Sequence, residues 1–274
     1  MSVFLDWTWG DINNGDVGPG MFSWFHFLWL GILVGFCVLM CVLFAKKHDE
    51  KLDRRVIGCF AVLLVLGEVF KQLFWYAFYG YYRFEIFPFQ FCSVPIYVSV
   101  LAALLPNGKA QEVCYRFLAF FGIIGGLSVM LVPSAVLYTY FVPISLHSMI
   151  WHTILVAMGV YLIASRGYGR KLQELVAPFF MFLGFVGLAI VGNILVYELH
   201  LGTEACQPGD NLSMFYLSPY YPTQFPLLGA VQEFSYPLFV LSYIAIFTVF
   251  SLIVWGTAHL CHKQADKKKT VVQP

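Results

Sequence analysis

One cysteine and two histidines raise the question of chemistry. Cys92 lies in FPFQFCSVP, between Pro88 and Pro95, and His147 and His152 lie in PISLHSMIWH. A cysteine beside a histidine suits nucleophilic acyl chemistry, because imidazole withdraws the thiol proton and the thiolate attacks a carbonyl. The blander reading gives a single cysteine in an apolar stretch to packing. Metal binding is the rival for the histidines. Five residues apart, they stand about 140° apart around a helix, unlike the i, i+4 pair that grips zinc from one face. No ligand spacing joins His26, Cys92 and either of them, so neither metal nor cofactor is expected. No GxSxG elbow offers a serine instead.

Other polar groups interrupt apolar runs in the same way. Glu68, Lys71 and Gln72 share one helical face by their spacing. His26, Gln90 and Asn193 complete the set of candidate substrate-binding residues with Glu68, Lys71, Gln72 and His147. A Glu68–Lys71 pair that simply neutralises itself is the alternative for those two.

The elements that position these groups follow from composition. The chain has 274 residues, 60% apolar, 19% aromatic and 11% charged; a soluble domain carries about 25% charged residues. With a mean hydropathy of +0.76, it is not a soluble enzyme, a disordered chain or a nucleic-acid binder. A polar, acidic, Gly-containing opening without a basic n-region argues against a secretory signal. The seven cysteines show no CxxC pair and no disulfide framework, and Cys206 has no evident partner.

A membrane helix needs roughly 20 mostly apolar residues. Seven stretches meet or approach this, at 21–45, 56–79, 87–105, 114–132, 143–164, 175–197 and 236–260. The expectation is an all-α, polytopic bundle of seven transmembrane helices. It divides into an extracytoplasmic segment 1–20, a membrane domain 21–260 and a basic tail 261–274. Lys and Arg gather in alternate connections: KKHDEKLDRR, the turn at Lys109 and Arg116, the stretch from Arg166 to Lys171, and the tail. The opposite set holds Arg83, and Lys71 lies within a span. The positive-inside rule then puts the amino terminus outside and the carboxyl terminus in the cytoplasm of a multi-pass cell-membrane protein.

That orientation gathers the polar residues of the spans in the outer half of the bilayer and predicts a polar cavity there. GIIGGLSVM supplies Gly122, Gly125 and Gly126, read as close helix packing rather than an oxyanion hole. The outer loop 198–235, rich in Pro and Tyr, reads as a lid or binding element, or else as a mobile connector.

The segments FPFQFCSVPIY, FFGIIGGLSVMLVP and SMIWHTILV, in that order, resemble the YwaF-like integral membrane family. FSWFHFLWL and the GN of the sixth stretch extend the similarity over nearly the whole chain. The family's bacterial members show a Leu-Pro-Leu-His-Leu-Cys run, and this chain departs from it with Gln90 in place of His. The related transmembrane protein 164 branch is described as acyltransferases that move a fatty acyl chain between phospholipids. The resemblance implies Cys92 as nucleophile, His152 as its base and membrane lipids as substrates. A lipid or small-molecule binder or transporter without catalysis is the alternative, and nothing fixes the oligomeric state.

Overall fold

A computed structural model describes residues 2–10, 18–45, 49–133, 140–201, 203 and 210–272. Lys46 and Lys47 of the first basic connection, and Cys206, lie outside the described residues. The architecture is all-helical among the described residues, apart from one isolated bridge between Thr8 and Phe141. Its helices are α1 (Ser2–Leu5), α2 (Trp24–Leu43), α3 (Glu50–Tyr79), α4 (Val94–Leu104), α5 (Lys109–Phe117) and α6 (Ile123–Leu131). There follow α7 (Val142–Arg166), α8 (Val176–Glu198), α9 (Pro226–Phe234) and α10 (Tyr236–Val272).

Six helical segments among the described residues are long and apolar enough to cross a membrane. They are α2, α3, the continuous unit 109–131, α7, a unit at 172–198 that includes α8, and α10. The seventh expected span, 87–105, differs. Only Val94–Leu104 is helical there, 11 residues, or about 16 Å against a hydrocarbon core of about 30 Å. Proline explains the start. With the helix beginning at Val94, Pro95 occupies the first turn, where its missing N–H leaves no bond broken. The six residues before the cap at Ser93 stay out of α-helix.

Two segments form the centre. In the most apolar stretch of 109–131 and of α7, 72% is buried, against 22% for α2, for 172–198 and for α10. A buried π-turn, Leu118–Gly122, joins α5 to α6. There α7 crosses closely at Gly159, where a Cβ would meet Ile123 and lie 2.9 Å from the Leu118 carbonyl. Beneath Cys92 the rings of Phe91, Phe182, Phe215 and Phe247 pack together, Phe91 and Phe247 with centroids 4.3 Å apart.

The end of the bundle that carries most of the basic residues is locked by charge. Asp53, fully buried in the first turn of α3, accepts from Tyr161 Oη (2.6 Å) and Arg166 Nη1 (2.9 Å). Arg166 Nη2 also reaches Glu112 at 3.0 Å and its guanidinium lies over the Tyr115 ring. One arginine thereby ties α7 to α3 and α5. The first turn of a helix favours an acidic residue, and a buried charge stripped of its partner costs about 3–5 kcal/mol. Asp53→Ala is therefore expected to destabilise the protein by about 3–5 kcal/mol, read as a lowered midpoint of thermal unfolding in detergent; an unchanged midpoint would show the network to be dispensable.

Candidate active site

The site is built on the backbone that fails to become helix. Between Tyr79 and Val94 the chain leaves α3, turns back and meets α4, which packs against α3. Gly58 of α3 faces Ala103 (3.7 Å), and Arg54 and Glu50 both hydrogen bond Asn107, so α4 runs antiparallel to α3 with its carboxyl end at the basic end. Trp151 links the levels: its Nε1 donates to the Cys92 carbonyl (3.1 Å) while its ring lies against Gly67. Gly67 is about 18 Å along α3 from Tyr79. Cys92 thus sits at hydrocarbon depth on non-helical chain.

Such backbone persists in a membrane only if its polar groups are satisfied internally or face a water-filled cavity. The partners can be followed residue by residue. Asp210, fully buried, accepts from the N–H groups of Phe84 (2.7 Å) and Glu85 (2.8 Å). Gln72 Nε2 donates to the Ile86 carbonyl (2.8 Å) and Tyr97 Oη to that of Pro88 (2.7 Å). The Phe215 N–H donates to the Phe89 carbonyl, and Ser93 and Val94 N–H groups close on that of Gln90. Gln90 Nε2 donates to the Ser213 carbonyl (2.9 Å).

The loop that follows α8 therefore folds onto this segment. Asn193 of α8 holds it there, accepting from Met214 N–H (2.7 Å) and donating to Met214 O (3.1 Å). Phe215 and Tyr216 adopt left-handed backbone, φ 58° and 56°. Non-glycine residues hold that region at a cost of about 1–3 kcal/mol each, when the surroundings dictate it.

Between the inserted segment, α3, α7 and this loop lies a cavity of about 530 Å³. Of the residues singled out from sequence, Glu68, Lys71, Gln90, Cys92, His147 and His152 line it. Three do not. His26 accepts from the Phe22 N–H and contacts the Met130 carbonyl (2.8 Å), tying α2 to α6. Gln72 spends its amide on Glu68 and Ile86, and Asn193 clamps Met214. Their polarity serves backbone satisfaction. Trp75, Tyr79, Glu85, Ser148 and Tyr216 line the cavity without having stood out in the sequence; only the unusual loop signalled Tyr216, and nothing marked the aromatic residues among so many.

Local geometry orients His152 and Cys92. His152 Nδ1 lies 2.6 Å from the Ser148 carbonyl, which only an N–H can satisfy. That fixes the tautomer and leaves Nε2 as an acceptor, buried and without a hydrogen-bond partner. Cys92 immediately precedes Ser93, the amino-terminal cap of α4, where the helix dipole favours negative charge. Lys71, paired with Glu68 at 2.8 Å, lines the same cavity. Glu68 Oε2 and Gln90 Oε1 are buried acceptors with no partner. Towards the mouth, burial pushes the Glu85 carboxyl above its ordinary value, Arg83 draws it back and Asp210 raises it further.

The paired glycines of α6 bring Cys92 and His152 to one place. A Cβ on Gly125 would lie 3.2 Å from the Cys92 Cα, and one on Gly126 would lie 2.7 Å from the His152 carbonyl. Consecutive positions on α6 thus touch both reactive segments, and their sequence reading as close-packing residues matches what they do. No cluster of three metal-ligating residues occurs among the described residues.

The profile of the TMEM164 family matches residues 21–255. The chain belongs to the TMEM164 family. No curated protein and no solved structure matches it. The matched stretch includes α2 through most of α10, and so every residue lining the cavity. With six helices among the described residues long and apolar enough to cross a membrane, this family member is a multi-pass membrane protein.

Gly126→Ala forces α6 and α7 apart against backbone, and overpacking of this kind costs about 1–3 kcal/mol. A lowered unfolding midpoint, together with slower alkylation of Cys92 by a small thiol reagent, is the expected result. Unchanged alkylation would separate the glycine pair from the site.

Proposed function

We propose that the protein is a membrane acyltransferase that moves an acyl chain between lipid esters through Cys92 and His152. The observation that carries this reading is the fixed tautomer of His152: its Nδ1–H is held by the Ser148 carbonyl, and the unpartnered Nε2 belongs to a side chain lining the same cavity as Cys92. A buried acceptor nitrogen on a side chain that shares a cavity with a thiol is a candidate general base for it. The order of motifs resembling the lipid-acyltransferase branch supports the same assignment, as does family membership.

In the first half-reaction His152 Nε2 takes the Cys92 thiol proton and the thiolate attacks the carbonyl carbon of a phospholipid ester. The C–O bond breaks, the leaving lysolipid oxygen takes the proton from the imidazolium, and a thioester remains on Cys92. In the second, an acceptor hydroxyl gives its proton to Nε2 and attacks the thioester. The C–S bond breaks and the thiolate recovers the proton from the imidazolium. The α4 amino terminus and Lys71 supply positive potential where negative charge gathers. Glu68 partners Lys71, and His147 and Gln90 border the lipid headgroup region. The cavity lies in the outer half of a cell membrane, with the basic end cytoplasmic, as the positive-inside rule orders it.

The test is acyl exchange between a labelled phospholipid and a lysophospholipid by purified protein in nanodiscs. Wild type is expected to move label, while Cys92→Ala and His152→Ala lose about 10²-fold or more, the scale of removing a nucleophile or its base. Exchange retained by Cys92→Ala would overturn the scheme. Tight phospholipid retention without exchange by wild type would favour a lipid binder or transporter.

A further inference from the structure

On the far side of His147 and Trp151 from the cavity lies a second depression, about 340 Å³, on the flank between α3 and α7. Its walls are Leu63 and Phe70 of α3 and Leu146, Ile150 and Ile154 of α7, with Phe4 and Trp7 at its rim. Leu63 and Ile150 are half exposed, which in a bilayer means open to lipid. Apart from the His147 imidazole it offers only apolar groups.

Its position relative to the reactive site sets it apart from other lipid-facing surface. His147 and Trp151 line both the cavity and this groove, with ring centroids 5.4 Å apart. The boundary between the two spaces is therefore two rings thick. Gly67 lets α7 come this close: a Cβ there would lie 3.4 Å from His147 Nε2 and from the Trp151 ring. Trp151 is held by its bond to the Cys92 carbonyl. His147 is packed against Phe70 and Trp151, and its buried Nε2 has no hydrogen-bond partner. Along α7 the groove runs from Pro143 to Ile154, about 16 Å, which is the depth of one leaflet's share of a hydrocarbon core about 30 Å thick.

We infer that this groove seats one fatty acyl chain of the donor lipid, its ester end passing the His147 ring to reach Cys92 from the bilayer. The inference rests on the acyl-transfer reading above and names the lateral path its substrate takes. The occupant is a single hydrocarbon chain: the groove is as long as one leaflet is deep, carries no charge and adjoins a polar cavity of its own. The rim residues Phe4 and Trp7 bound the chain at the outer end, and Ile150 sets the width available to it.

Ile150→Trp fills the groove without touching the cavity. Val62→Trp, on the lipid-facing side of α3 towards α4, is the control for a bulky residue at the bilayer surface. Transfer onto Cys92 is followed by mass, with dipalmitoyl and dibutyryl phospholipids as donors. Ile150→Trp is expected to slow palmitoyl transfer about tenfold or more while butyryl transfer stays within about twofold, and Val62→Trp to change neither. Equal effects on both donors, or none, would overturn the groove assignment.

A phospholipid carrying a diazirine in its acyl chain gives a second readout that needs no turnover. Cross-links at Leu63 and Leu146 are expected in wild type and lost in Ile150→Trp, with labelling around Val62 kept. If wild type transfers no chain yet labels this way, the groove stands and the Cys92 reading falls. Labelling unaffected by Ile150→Trp, or cross-links to a second protein copy there, would overturn the proposal.

Discussion

The structure depends on one constraint: peptide groups that leave a helix inside a membrane must still be hydrogen bonded. The stretch between α3 and α4 takes the backbone out of the helix at hydrocarbon depth, and its N–H and C=O groups are met one at a time by Asp210, Gln72, Tyr97, Phe215 and Trp151. Each partner fixes something beyond the bond. Trp151 sets the height of Cys92 against α7, and Asp210 draws the loop that follows α8 over the segment. Asn193 then holds that loop from behind through Met214. The cavity is what this arrangement leaves between the inserted chain, α3, α7 and the loop that follows α8.

Two further devices make the site rigid. The Arg166 network fixes the three helices at the basic end, where Asp53, Glu112 and Tyr161 converge on it or on one another. The Gly125–Gly126 pair fixes the middle, where Cys92 and His152 backbones both press on α6. Between them α7 is held along its length, and it carries His147, Ser148, Trp151 and His152 within two turns. The tautomer of His152 is set by its own helix, through the Ser148 carbonyl.

Much of this was legible in the sequence, for physical reasons. Glu68, Lys71, Gln90, Cys92, His147 and His152 interrupt apolar runs, and a membrane tolerates such interruptions where they face one another or water. The same argument also picked out His26, Gln72 and Asn193, which do not line the cavity, because hydropathy cannot distinguish a side chain that serves a ligand from one that serves a backbone carbonyl. The third span failed for a related reason. Residues 87–105 are apolar enough to cross, yet Pro88 and Pro95 stop a helix from forming before Val94, and only the tertiary partners of 84–90 make the alternative affordable. The five-residue spacing of His147 and His152 counted against a shared metal ion, not against a shared cavity, and one cavity reaches both. Tyr216 and the folded-down loop had no local signal beyond length and composition, since their left-handed backbone is imposed from Asn193 and Phe89.

The central claim is that Cys92 is held in the bilayer as a nucleophile for lipid esters. Intact-mass spectrometry of the wild-type protein after incubation with phospholipid, quenched at low pH, tests it most directly. The account predicts a mass increase equal to one acyl chain, removed by hydroxylamine and mapped to the peptide containing Cys92. An acyl mass mapped to another residue, or none while lipid exchange proceeds, would contradict it.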